Sequence, residues 1–223
     1  MDIAETINKR HSVRAFLDQP VDRSTVEAIL HLATRSPSWG NTQPWEMAVV
    51  SGQTKQALVE EFCQNVQQGR PASPDFSMPE IFPDLYQHRY RAVGKEVFKI
   101  LGIQRGDHPA RLKHYLNNFR AFGAPCLVYL MLDQGLESVY SIFDCGSLAG
   151  HICLSALPHG LGTCLLAAIS MYPDAIRMHL QLPPEKKVVL GLALGYPRPD
   201  VPLNQMRTPR EPLTTNVKWV DVD

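Results

Sequence analysis

Arg10, Ser12 and Arg14 alternate in the run Arg10-His11-Ser12-Val13-Arg14 near the N-terminus. Alternate side chains of extended backbone point the same way. The spacing therefore aims a pair of guanidiniums and a hydroxyl at one place. Arginine presents a planar fork of donors that matches phosphate oxygens, so the chemistry on offer is phosphate binding; the competing reading is a solvated basic turn. A second run, Ser36-Pro37-Ser38-Trp39-Gly40-Asn41-Thr42-Gln43-Pro44-Trp45, sets Ser38 and Asn41 around Gly40. Glycine lets backbone approach a ligand closely, and Gln43, standing before proline, is expected to be extended. These neutral donors and acceptors suit the polar edge of an isoalloxazine or a purine; the competing reading is a helix-ending turn anchored by a tryptophan.

The rest of the chain shows no acid, base or nucleophile motif. There is no GxSxG, HExxH or GxxxxGK[ST] pattern, and no paired-carboxylate site stands out. The histidines have no metal-ligand spacing with cysteine or carboxylate, so no metal site is expected. Gly160-Leu161-Gly162-Thr163 matches only part of a dinucleotide fingerprint; it lacks the third glycine and the preceding strand. It reads as a tight turn feeding a segment whose backbone N–H groups can face a ligand. An enzyme built this way relies on a bound cofactor for its chemistry.

The elements that position these runs follow from periodicity. Asp2 caps a short helix to about Lys9, and residues 22–35 read as a helix with Ser24 and Glu27 spaced as a capping box. Its apolar stripe is Val26, Ile29, Leu30 and Ala33. Strands are expected at residues 46–51, 126–132 and 187–194, the second as a buried central strand because it is continuously apolar. Helices are expected at 54–67, 86–101, 110–119, 139–157 and 173–180, with a Pro-, Ser- and Gly-rich loop at 69–83. The 139–157 helix carries many small residues, which suits a subunit interface or tight internal packing equally. The Pro-rich tail after Gly195 holds Leu203, Met206, Leu213 and Trp219 and is too apolar to be simply disordered. Residues 217–220 could add a strand to a sheet edge.

The chain has 223 residues, 44% of them hydrophobic, with 22 basic and 22 acidic residues and a formal net charge of +0. This fits one globular domain and gives no basic excess for nucleic acid or an acidic membrane. The 5 cysteines, an odd number without a CxxC pair, read as buried free thiols of a reducing compartment. The N-terminus lacks the apolar core of a signal peptide, and no apolar run approaches the roughly 20 residues of a membrane span. A soluble cytoplasmic protein is expected.

The two opening runs resemble the first and second motifs of the FMN-dependent nitroreductase family. Residues 160–163 are similar to its third motif, and Gly195-Tyr196-Pro197 with Asn204, Arg207, Pro212 and Leu213 to its C-terminal block. The resemblance covers nearly the whole chain in the right order. It implies an α+β fold with a central, mostly antiparallel sheet flanked by helices, as a single domain over residues 1–223. It also implies an obligate homodimer with the C-terminal tail exchanged and FMN bound at the interface.

Carried over, Arg10, Ser12 and Arg207 are implied phosphate contacts, with His11 contributing through its backbone. Arg14 is implied near the ribityl chain and the flavin N1–C2=O edge. Pro37, Ser38 and Asn41 would come from the other subunit, and backbone groups around Leu166, Ala167 and Ala168 would lie beside the flavin N5. The flavin, not a side chain, carries the chemistry. NADH or NADPH is the implied donor, and a nitroaromatic or quinone the acceptor, in a ping-pong reaction. Alternatives of the same fold are a deiodinase or flavin-destroying enzyme, whose Glu, Tyr and Lys lid spacing is not seen for the former, or a non-catalytic flavin sensor. Gln205 and Ala167 depart from members that carry a cation and a carboxylate there. Residues 69–122 correspond to the family's variable lid or channel, where Tyr86, Arg89, Tyr90, Arg91, Phe119 and Phe122 could face a substrate.

Overall fold

The continuously apolar segment in the middle of the chain becomes the strand around which both layers of helix are built. The computed structural model describes residues 2–222; Met1 and Asp223, part of the expected 1–223 span, lie outside the described residues. Helices α1 (Ile3–Lys9) and α2 (Arg23–Ala33) precede strand β1 (Glu46–Ser51). Helices α3 (Gly52–Gln67), α4 (Asp84–Ile100) and α5 (His108–Phe119) lead to β2 (Cys126–Asp133) and α6 (Val139–Ala156). Then come β3 (Gly162–Leu166), α7 (Pro173–Leu180), β4 (Lys186–Gly195) and two single turns, α8 (Pro202–Gln205) and α9 (Leu213–Asn216).

The sheet has four strands in the order β1-β2-β4-β3, and every pairing is antiparallel. Alternation along β2 explains its composition. Leu127, Tyr129 and Met131 enter one core with Leu58, Phe62, Leu116, Phe119 and Ile176 from α3, α5 and α7. Cys126, Val128, Leu130 and Leu132 enter a second core with Val26, Ile29, Leu148 and Ile152 from α2 and α6. A strand covered on both faces has no use for polar positions.

Local signals set the helix ends. Asp2 Oδ1 accepts from the Glu5 N–H at 2.8 Å, and Asp107 Oδ1 accepts from Ala110 N–H at 3.0 Å. The expected capping box on α2 does not form: its N-cap is Asp22, and Glu27 instead pairs with Arg23 at 2.7 Å. That ion pair one turn apart on an exposed helix draws the carboxylate away from the cap. Residues 162–166, expected as turn and loop, form β3 against the last residues of β4, because Thr163 and Cys164 bury between two cores. Residues 217–220 form no strand within this chain, and Trp219 is 61% exposed.

Helix α6 resolves its two readings by having two faces. Cys145, Leu148, Ala149 and Ile152 are buried, while Val139, Tyr140 and Phe143 are exposed and Gly146 and Gly150 face open space. All five cysteines are free and buried. Burial pushes the thiols of Cys126 and Cys164 up to about 11 and that of Cys145 to about 12, the last helped by Asp144.

The N-terminal run docks on the β3–β4 end of the sheet. Val13 N–H donates to the Thr163 carbonyl at 2.9 Å, and Leu17 N–H to Tyr196 at 2.9 Å. A Cβ on Gly162 would drive into the Val13 side chain and come within 2.9 Å of Pro197, so the bare strand position is what admits the run. Asn204, 4% exposed, then ties the run to the tail. Its Oδ1 accepts from Arg14 N–H at 2.8 Å, and its Nδ2 donates to the carbonyls of Ala15 at 2.8 Å and Arg198 at 2.9 Å. Replacing Asn204 with Leu strands these three backbone groups and is expected to lower stability by about 2–4 kcal/mol. Urea unfolding with an unchanged midpoint would contradict this account of the clamp.

Candidate functional site

Val13 is 1% exposed and packs in the core, while Arg10, Ser12 and Arg14 are half-buried. Ser12 bridges β3 at Thr163 and lies beside the Cys164 thiol, on which Arg14 and Arg10 also act. Arg14 Nη1 donates to the Ser12 carbonyl at 3.3 Å. Arg207 folds back from the tail so that Nη1 donates to the carbonyls of Asn204 and Met206, each at 3.0 Å. The His11 imidazole donates from Nδ1 to the Lys9 carbonyl at 2.8 Å. Burial is the main cause holding its pKa below the usual histidine value, and the charges of Arg207 and Arg10 add to it.

Three guanidiniums thus gather around one short stretch, and among the described residues none of them is within ion-pair distance of a carboxylate. Like charges held together without an acid favour a bound anion. The residues therefore fit a phosphate group. The tail's Gln205, where a further cation was looked for, instead donates from Nε2 to the Pro199 carbonyl at 3.2 Å.

The second run sits on α6, away from the first. Ser36 Oγ is 2.7 Å from Ser147 Oγ and 3.3 Å from His151 Nδ1, and the Trp39 N–H donates to the buried Asp144 carboxylate at 3.1 Å. Gln43 is not extended: its φ is +49°, and its N–H donates to Ser38 Oγ at 3.0 Å. With Gly40 and Asn41 both at φ +57°, the loop curls on itself and overrides the pre-proline preference. Left-handed non-glycine residues such as Asn41 and Gln43 persist where surrounding structure forces them, often at functional sites. Pro37 and Asn41 are exposed and Ser38 half-buried. No hydrogen bond joins this loop to the Arg10–Arg14 run among the described residues.

Leu166 ends β3 with its side chain buried, and Ala167 and Ala168, half-buried, open the short turn Ala167–Ser170. The first N–H groups of a helical turn have no partner within it. Ala168 and Arg14 line a cavity of about 620 Å³ whose other wall is α4 and α5. Tyr90 and Arg91 line it as the variable segment suggested. Phe119 (0%) and Phe122 (9%) do not face it; both are buried in the core against the sheet. Tyr86 is exposed and stacks under Arg89, which pairs with Glu211 of the tail at 3.1 Å. Phe98, Arg111, His114 and Tyr115 also line the cavity and carried no motif of their own. Their signal was helical spacing, since residues 111, 114, 115 and 118 share one face of α5. Burial, with a smaller contribution from Arg14, holds the His114 pKa below its usual value.

Among the described residues no cluster of His, Cys, Asp or Glu could hold a metal ion, and no helix is long and apolar enough to cross a membrane.

Comparison with known proteins places this geometry. The chain is 31% identical over 211 residues to a 4-nitrobenzoate reductase of Pseudomonas putida, covering 94% of this chain and 92% of that protein. It is 34% identical over 209 residues to a nitrobenzene nitroreductase of Ectopseudomonas oleovorans, covering 92% and 90%. The crystal structure of the FMN and NADPH-dependent nitroreductase NfnB from sphigopyxis sp. strain HMH superposes with a TM-score of 0.95 at 31% identity, over 100% of both chains. The family model described as the Nitroreductase family matches residues 7–196. With the match spanning both opening runs, β3 and the end of β4, the chain belongs to the nitroreductase family.

Proposed function

We propose that the chain is an FMN-dependent NAD(P)H oxidoreductase that reduces nitroaromatic or quinone-type acceptors. The observation that carries this reading is the gathering of Arg10, Arg14 and Arg207 around the Ser12 run without a carboxylate partner among the described residues, with Arg14 also lining the cavity. Full-length similarity to nitroaromatic reductases favours it over a specialised flavin enzyme of the same fold.

In this reading Arg10, Ser12 and Arg207 hold the phosphate, and His11, whose charged form burial disfavours, serves through its backbone. Arg14 is the fixed cation that favours a reduced, negatively charged ring. The backbone at Leu166, Ala167 and Ala168 borders the reacting edge of the ring. When bound, FMN supplies the two-electron chemistry between NADH or NADPH and the acceptor. The cavity wall of α4 and α5 admits donor and acceptor in turn, which makes the kinetics ping-pong. One domain over residues 1–223, with 69–122 as its substrate-facing part, suffices for these roles.

A homodimer completes the site. Pro37, Ser38 and Asn41 sit on α6 rather than beside Arg10, so a second copy brings them to the ring. The open stripe of Val139, Phe143, Gly146 and Gly150 on α6 offers the contact, since small residues allow close helix approach. The apolar tail, with Trp219 and Val220 more than half exposed, crosses to the second copy. Five buried thiols without a disulfide suit a reducing, cytoplasmic compartment.

Purified protein is expected to be yellow with an FMN absorbance spectrum; a colourless preparation that added FMN does not reconstitute would sink the reading. Arg10→Ala and Arg207→Ala should each weaken FMN affinity by about 10- to 100-fold, measured by flavin fluorescence titration. Unchanged affinity in both would remove them from the phosphate site. Sedimentation at micromolar concentration should give twice the monomer mass, and a monomer with FMN bound would refute the shared site.

A further inference from the structure

The cavity beside Arg14 and Ala168 has an uneven charge. Arg14, Arg91, Lys95 and Arg111 line it, and no Asp or Glu does. The chain as a whole is balanced, with 22 residues of each sign, so the imbalance is local. The ion pairs made from α4 use Arg89 and Lys99 instead, leaving Arg91 and Lys95 without an acid within 4.0 Å among the described residues. Arg111 is the best held of the four. Its guanidinium lies over the Phe98 ring, 4.7 Å from the centroid, and its Nε donates to the Gln104 carbonyl at 3.4 Å. His114 meets the same ring edge-on at 5.8 Å, and Tyr90 and Tyr115 complete an aromatic wall.

A neutral acceptor would leave the like charge of this cavity unrelieved, at half-buried Arg111 most of all, since Arg91 and Lys95 are open to solvent. An anion resolves it, and a carboxylate matches the guanidinium fork. Resting on the FMN reading above, we propose that the acceptor is an aromatic ring bearing an anionic substituent, a nitroaryl carboxylate in its simplest form. Arg111 pairs with the anion, and Arg91 and Lys95 supply the attracting field. NADPH brings anionic groups too, the diphosphate it shares with NADH and its own 2′-phosphate, and both lie along the dinucleotide beyond the reacting ring. Arg111 lies against the aromatic wall at Phe98, so a ring stacked on that wall carries its anion within reach of the guanidinium.

The test uses the FMN-loaded full chain and measures kcat/KM for 4-nitrobenzoate and for nitrobenzene, each with NADPH and with NADH. The wild type should prefer 4-nitrobenzoate, and added salt should erode that preference because the attraction is screened. Arg111→Gln should lower the nitrobenzoate-to-nitrobenzene ratio by about 10- to 100-fold, and Arg111→Lys should recover part of it. Arg91→Gln, on the exposed face of α4, gives a smaller fall in a variant that does not touch the core. A collapsed NADPH-to-NADH ratio, or a raised KM for both donors, while the acceptor ratio holds would assign the cations to the donor and overturn the proposal. Equal, salt-independent turnover of both acceptors by the wild type would overturn it while leaving the FMN reading intact. A chain that binds no FMN would remove both.

Discussion

The buried amide of Asn204 is the contact on which the site's geometry depends. It is a residue of the tail, yet it satisfies the backbone at Arg14, Ala15 and Arg198 at once. Backbone polar groups buried without partners are expensive, so chain segments 190 residues apart in sequence are obliged to meet. Their meeting brings Arg207 to the same place as Arg10 and Arg14. The cationic cluster is thus a by-product of a neutral hydrogen-bond network.

The sheet allows this because its far end is bare. Gly162 and Gly195 lie where Val13, Phe16, Pro125 and Pro197 press in, and a side chain at either would push the N-terminal run outward. The other half of the candidate site is organised by α6 through Asp144, Ser147 and His151. These two halves share the sheet but no direct hydrogen bond among the described residues. The exposed apolar side of α6, with Val139, Tyr140 and Phe143, belongs to the same helix as the second of them.

Much of the fold was legible because its signals are local. Continuous apolarity named β2, the proline in the first turn placed α7, and Asp2 started α1. What failed was decided by tertiary contacts. β3 was read as a turn because Gly162 and the short run after it have little strand character, and only pairing with β4 makes them a strand. Ser24 and Glu27 had the spacing of a cap, but Arg23 competed for the carboxylate. In the candidate site, the alternation of Arg10, Ser12 and Arg14 left a phosphate loop and a solvated basic turn both open, whereas the joining role of Asn204 is a property of the folded chain. Phe119 and Phe122 were misplaced because aromatic residues of a lid and of a core look alike in sequence.

Sulfur lines the back of the cationic run. Cys164 lies against Ser12, and Cys153 feels both Thr163 and Arg10. Thiolates rather than thiols attack electrophiles. Burial pushes the Cys164 thiol up to about 11. The same packing that seats the Arg10–Arg14 run therefore disfavours the nucleophilic form of the sulfur behind it.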